Sequence, residues 1–381
     1  MKLNENTKIG IIVSIYVGVT MLFLLLTTTL KGQEFILTDD FPAPATDIYY
    51  DNMDNQYVTL KNGTLYKNGQ VFQTFQTNVA NEQGLLAVCI WNDKLCVHIT
   101  TPDSRYQKVT CDGIDYITVD YFEEGYSPPA SNRHRGGDLV VMNNNLYASF
   151  GMGYRVERSQ DDFDYRGKII KLSTIYEGIV IKGLRNPYRF DVDPSENFFV
   201  ADVGGNHREE VTIINANEND IANLGWPCWE GTYEHTDSCG QTTKPELGHG
   251  FEYDHSVGAC IIGGTLYGEY YYFADYITGF GGKLSYNGTL MEEITFPEDV
   301  VSMDVHNDSL MVLTLAGQVY SLFIGEPTLG VQIYDKPPKR KPTPRFAEHF
   351  YNYSGQNILA PRHGEIYYST LKKRLIYAAP F

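Results

Sequence analysis

Four stretches of the chain share one alternation of apolar and polar positions. In LAVCIWNDKLCVHIT from Leu86, DLVVMNNNLYASFG from Asp138, YRFDVDPSENFFVADVG from Tyr188 and VSMDVHNDSLMVLTLAG from Val301, an apolar strand meets a turn of Asn, Asp, Ser or Pro and returns as a second apolar strand. The first three starts lie 52 and 50 residues apart, and the fourth follows after 113, about two periods. A divergent member, GGTLYGEYYYFADY from Gly263, fills that gap. A period near 50 residues is what four-stranded propeller blades require, and residues 45–330 divided by it give about six. The spacing predicts an all-β, six-bladed β-propeller.

Both ends break the pattern. Ile9 to Leu30 is a run of 22 residues without a charge, bracketed by Lys8 and Lys31, long enough to cross a bilayer core. The sequence TTTLKGQ at 27–33, which spans its end, is a poor cleavage site, so the run reads as an uncleaved signal anchor. Lys2 and Lys8 precede it, which favours an inside N-terminus and an exported remainder. At the other end, DKPPKRKPTPR from Asp335 reads as an extended linker, and EIYYSTLKKRLIYAA as one more strand hairpin that could close the ring with the N-terminal strands. The expected organisation is a cytoplasmic N-terminus at 1–8, a transmembrane anchor at 9–30, a linker at 31–44, the propeller at 45–330, a Pro/basic linker at 331–346 and a strand segment at 347–381.

Composition sharpens this picture. Tyr 29, Phe 19 and Gly 35 suit strands and tight turns, and the net charge of −17 argues against nucleic acid as partner. The six cysteines, Cys89, Cys96, Cys111, Cys228, Cys239 and Cys260, all follow the apolar span, as do the sequons at Asn62, Asn287, Asn307 and Asn352. Both observations fit a single-pass membrane glycoprotein whose C-terminal domain is extracellular or luminal. Six cysteines allow 15 pairings. Cys228 and Cys239 enclose a short loop and Cys89 and Cys96 flank a hairpin, which leaves Cys111 and Cys260 over.

Seven motifs then occur in order: EQGLL at 82–86, HRGGDL at 134–139, GKIIKL at 167–172, GLRNPYRFDVDP at 183–194, DVGGNHREEV at 202–211, NLGWPCWEG at 223–231 and GACIIGG at 258–264. Together they resemble the glucose/sorbosone dehydrogenase family, which includes quinoprotein aldose sugar dehydrogenases and Hedgehog-interacting proteins. That resemblance also implies a six-bladed propeller. It makes His134 the general base, a role that suits a neutral imidazole. Arg185 would lie over the cofactor, pyrroloquinoline quinone, and Glu82 would join the cofactor ring. The backbone carbonyls of Gly204 and Gly205 would help hold calcium, which favours hard oxygen ligands. Asp202, Glu209 and Glu210 read either as residues that support the ligands of that ion or as a solvated acidic loop, and Arg189 takes no site position.

The chain departs from the enzymes where their cofactor needs cations. Thr278 stands where they carry lysine, EDVVSMD from Glu298 stands where they carry arginines, and Arg133 replaces an acidic residue before the histidine. The resemblance with these departures implies a non-catalytic, Hedgehog-interacting-like propeller that binds an extracellular protein or glycan. A quinone- and calcium-dependent aldose sugar dehydrogenase is the alternative.

Overall fold

The structure, a computed structural model, describes residues 34–122, 133–173, 176–217, 219–235 and 249–325, with four short strands between 350 and 377. The anchor at 9–30, the linker at 331–346, Cys239 and Asn352 lie outside the described residues. No helix among the described residues is long and apolar enough to cross a membrane.

Six antiparallel sheets follow one another along the chain. Their inner strands are Ala45–Tyr50, Leu85–Trp91, Gly136–Met142, Pro187–Val192, Ile261–Tyr267 and Val300–His306. Each inner strand packs against the next and the sixth against the first, which closes a six-bladed propeller. Hydrophobic clusters fill the spaces between adjacent blades. Leu139, Phe150 and Ile170 of the third blade meet Ala87, Val109 and Ile117 of the second, for example. Both faces of a blade are therefore covered, which explains apolar runs more continuous than simple alternation would give.

Three of the four polar turns seen in the sequence are two-residue hairpins, while Val192 and Phe198 are joined by the longer DPSEN turn. Trp91 pairs with Lys94, Met142 with Asn145 and His306 with Ser309. The residues between, Asn92-Asp93, Asn143-Asn144 and Asn307-Asp308, all have positive φ, from 49° to 65°. Asn and Asp tolerate this conformation best among side-chain-bearing residues, and it matches the twist of the flanking strands.

Ring closure differs from expectation. Ile36–Asp40, within the stretch read as a linker, is the outermost strand of the sixth blade and pairs with Gln318–Phe323. All five residues of ILTDD are exposed, so no alternation announces a strand, and only its distant partner makes it one. The C-terminal strands do not close the ring. Residues 326–381 form a second compact unit in which Ile366–Ser369 and Arg374–Tyr377 make the expected hairpin within their own sheet.

The expected Cys89–Cys96 bridge is also replaced. Cys96 is bonded to Cys111, and Cys89 is a buried free thiol. Cys96 stands opposite both residues on neighbouring strands. Its Cα lies 4.0 Å from that of Cys111, the close spacing of a non-hydrogen-bonded pair. In an antiparallel strand the N–H and C=O of one residue point to the same side, so the Cys89 side is the wider one. Cys228 is disulfide-bonded with its partner outside the described residues, and Cys260 is free. Asn62, Asn287 and Asn307 are exposed in hairpin turns.

Along the axis, four inner strands carry an aspartate that accepts a backbone N–H from the next blade. Asp47 takes Val88 N at 3.0 Å, Asp138 takes Phe190 N at 3.0 Å, Asp191 takes Leu266 N at 2.8 Å and Asp304 takes Tyr50 N at 2.7 Å. These bonds satisfy donors that an inner strand has no fifth strand to pair with. The aspartates line a cavity of about 190 Å³. Its one axial cation among the described lining residues is Arg189. The guanidinium donates to the carbonyls of Thr46, Leu86 and Val301 and to Asp138 Oδ1, and lies 3.5 Å from Asp47 Oδ1. From the fourth blade it thus holds the first, second, third and sixth.

Candidate functional site

The segments that enter the inner strands gather at one mouth of the channel. Each of the six inner strands begins with a register shift against its neighbour, at Ala45/Asp47, Leu85/Ala87, Gly136/Leu139, Pro187/Arg189, Ile261/Gly263 and Val300/Ser302. Such bulges re-aim the residues around them. Here they turn the preceding segments, which hold Glu82, His134 and Arg185, toward the rim.

His134 and Glu82 meet at this mouth. The backbone N–H of His134, held at φ 52°, donates to Glu82 Oε2 at 2.6 Å. Its Nδ1 lies 3.2 Å from the Gly153 carbonyl, which can only accept, so Nδ1 carries the hydrogen and Nε2 keeps its lone pair. Burial, then the nearby Arg185, pulls the imidazole down to about 4, so it is neutral at pH 7. Glu82 moves the other way, raised chiefly by burial.

Arg185 is fixed by its own neighbours. Its N–H donates to Asp202 Oδ2 at 2.8 Å, its Nη1 to the Val203 carbonyl at 2.9 Å, and its guanidinium lies 5.6 Å from the centre of the Trp226 ring. Asn186 ties the mouth together. It donates to Asp202 Oδ1, accepts from Gly136 N, and its Nδ2 reaches Glu82 Oε2 at 3.4 Å. Lys61, which no sequence motif marks, donates to the Asn81 carbonyl beside Glu82. Only the folded ring brings it there. Thr278 lies on the same side but spends its N–H and hydroxyl on Asp275 Oδ1 at 3.0 and 3.1 Å.

The DVGGN loop is organised by an acid that the sequence reading assigned no role. Glu230 Oε1 accepts the N–H groups of Gly205, Asn206, His207 and Arg208, at 2.7 to 3.2 Å. Burial pushes this carboxyl upward, yet the amides of Arg208, His207 and Gly205 outweigh it and hold it below its usual range. Gly204 donates to Glu209 Oε2, and a Cβ there would collide with the Arg208 carbonyl. The Gly204 and Gly205 carbonyls accept no hydrogen bond among the described residues, which leaves them available as ligands.

Behind the loop, Asp202, Glu210 and Glu252 stand directly opposite one another on three adjacent strands. Like charges so placed repel. Glu210 Oε2 is buried without a hydrogen-bond partner, and burial followed by Asp202 and Glu230 drives this carboxyl well above its usual value. Free carbonyls beside an unsatisfied acidic row fit a hard divalent cation such as calcium. No three His, Cys, Asp or Glu side chains among the described residues stand in metal-ligating geometry.

Comparisons agree with this architecture. No family model matches the chain. The PQQ-bound aldose sugar dehydrogenase of Streptomyces coelicolor superposes with a TM-score of 0.56 at 14% identity, over 76% of this chain and 98% of that one. The apo-form soluble aldose sugar dehydrogenase of Escherichia coli gives 0.57 at 16%, over 77% and 100%. This chain has the aldose sugar dehydrogenase fold. The calcium structure of a Trichoderma reesei family AA12 carbohydrate-active enzyme has the same fold, with a TM-score of 0.52 at 12% identity over 78% and 96%. In sequence, the HIPL2 protein of Arabidopsis thaliana is 39% identical over 98 residues, a match spanning 22% of this chain and 14% of that protein.

Proposed function

We propose that the chain is a non-catalytic binding propeller, anchored through residues 9–30 and displayed on the extracellular or luminal side, which takes a protein or glycan ligand at the channel mouth. One observation carries this reading: among the described residues, the positions where the resembling enzymes hold cations offer none to a tricarboxylate quinone, and Arg133 beside His134 is the one exposed arginine at the mouth. Thr278, in place of a lysine, is tied to Asp275, and the stretch 298–304 offers Ser302 and Asp304 to the channel instead of arginine. Arg185 and Lys61 already donate to backbone carbonyls, and Arg189 is locked in the axis.

The test is reconstitution of the purified protein with pyrroloquinoline quinone and calcium, followed by dye reduction on aldoses. Each lost charge-assisted contact is worth about 1.5–3 kcal/mol, so two losses weaken cofactor binding by about a hundredfold or more. The expected result is no bound quinone absorbance and no sugar-dependent reduction.

A second reading rests on His134, whose bare Nε2 and neutral ring suit the base of a sugar dehydrogenase. On that reading the bound quinone would accept hydride, while His134 takes the hydroxyl proton and Glu82 and Gly153 hold it in place. Sugar-dependent activity that His134→Ala abolishes with quinone binding intact would establish this reading instead.

Calcium enters both readings. Millimolar calcium is expected to raise the melting temperature, since a ligand held at 100 times its Kd stabilises the folded state by about 2.7 kcal/mol. Glu210→Gln should remove most of that shift. An unchanged midpoint in the parent protein would leave Gly204 and Gly205 as loop residues only.

A further inference from the structure

Beside the mouth, an imidazole and a carboxylate face each other with unused lone pairs. His235 Nδ1 lies 3.2 Å from the Pro227 carbonyl. A carbonyl can only accept, so Nδ1 bears the hydrogen, and in the neutral ring that a metal binds Nε2 is the bare nitrogen. This is the arrangement by which a backbone carbonyl orients a metal-ligating histidine. Nε2 lies 3.9 Å from Glu230 Oε2. Glu230 is 2% exposed, and while its Oε1 takes four amides, its Oε2 has no hydrogen-bond partner. Four N–H groups on one oxygen keep the carboxylate in place, yet leave the other oxygen desolvated and uncompensated.

Two further observations give that pair room and a third donor. A Cβ added at Gly205 would lie 3.5 Å from both Glu230 Oε2 and His235 Nε2 and 3.2 Å from the Trp226 ring, so the missing side chain leaves a narrow space beside them, bounded by that ring. His207 stacks on Tyr233, and its ring centre stands 6.1 Å from that of His235 at 69°. Two imidazoles bound to one zinc at about 2.0–2.1 Å have ring centres roughly 5–6.5 Å apart. The backbone of His207 is itself held by Glu230 Oε1. One glutamate thus sets the positions of both histidines' surroundings.

We propose that His207, Glu230 and His235 form a binding site for a zinc-class divalent metal, with water as the fourth ligand. Two imidazoles and one carboxylate are donors that zinc and cobalt accept readily, whereas calcium prefers an all-oxygen set. Closing the site needs the His235 to Glu230 separation to shorten from 3.9 Å to about 3.3 Å and the exposed His207 ring to turn toward it. The site uses none of Asp202, Glu210 and Glu252 as ligands, and does not depend on whether the propeller is catalytic.

The experiment is titration of the full, untagged, EDTA-treated chain with zinc by calorimetry and with cobalt by visible absorption. One zinc per chain and the intense visible bands of tetrahedral cobalt are expected. His235→Ala and His207→Ala should each weaken zinc binding at least tenfold and remove those bands, while Tyr233→Phe retains them. Glu230→Gln is unsuitable because it also unties the loop. Glu210→Gln should leave zinc binding intact, and circular dichroism should show the histidine variants folded. Absent cobalt bands, bands that survive His235→Ala, or loss in His235→Ala but not in His207→Ala would each overturn the three-ligand site.

Discussion

Arg189→Ala is expected to destabilise the propeller by about 3–5 kcal/mol, the usual cost of leaving buried charges without their partner. The guanidinium is almost fully buried and holds Asp47, Asp138 and three carbonyls drawn from the first, second and sixth blades. Without it, two carboxylates remain in the axis and three carbonyls lose a donor. A loss of that size is a large share of a domain's net stability, so the variant should melt far lower or accumulate unfolded. Arg189→Lys should recover only part, because a single ammonium cannot reach in as many directions as a planar fork. Thermal unfolding of the two variants beside the parent is the measurement. A midpoint for Arg189→Ala within a degree or two of the parent would mean that the blades close without the axial tie.

The axis should also make stability fall as pH rises from 5 to 7.5 in metal-free buffer. Burial is the leading cause that pushes Asp47 and Asp191 up to about 6 and Asp304 up to about 7, from an ordinary 3.8. At pH 5 the folded state therefore holds protons that the unfolded chain has released. This contribution is complete below about 4 and is lost as pH rises through 6 and 7. His98 and His134 act oppositely. Burial pulls them down to about 3 and about 4, so they favour the folded state above 6.5 and oppose it on acidification. Three aspartates outnumber two histidines below about 6, and of these five groups Asp304 alone acts between 6.5 and 7. Asp202 and Glu209, each raised to about 7 with burial first, add to the aspartate side when no cation is bound. The net effect is a few kcal/mol, with a lower melting temperature at pH 7.5 than at pH 5. Asp304→Asn keeps an acceptor for Tyr50 N and removes one titration, so its profile should be shallower. A midpoint that climbs between pH 5 and 7.5 would contradict this account.

The blade count was legible in the sequence because a blade hairpin is local. Asn92-Asp93, Asn143-Asn144 and Asn307-Asp308 have the side chains that tolerate positive φ, and the apolar runs beside them fit strands covered on both faces. His134, Glu82 and Arg185 were found through motif resemblance, and the structure gathers them at one mouth because each precedes or begins near an inner strand. The tertiary structure decided what depends on partners far apart in the chain. Ile36–Asp40 becomes a strand only through pairing with Gln318–Phe323. Cys96 chooses Cys111 over Cys89 because alternate sides of a strand differ in spacing, which no count of residues between cysteines reports. Glu230 becomes the anchor of the DVGGN loop only when the segment 223–231 folds back against that loop. Arg189 shows the division most plainly. Its sequence neighbours place it on an inner strand, but the carboxylates and carbonyls that hold it come from four other blades and converge only when the ring closes. Local pattern thus determined the strands and turns, whereas closure of the ring decided which side chains meet at its axis and its mouth.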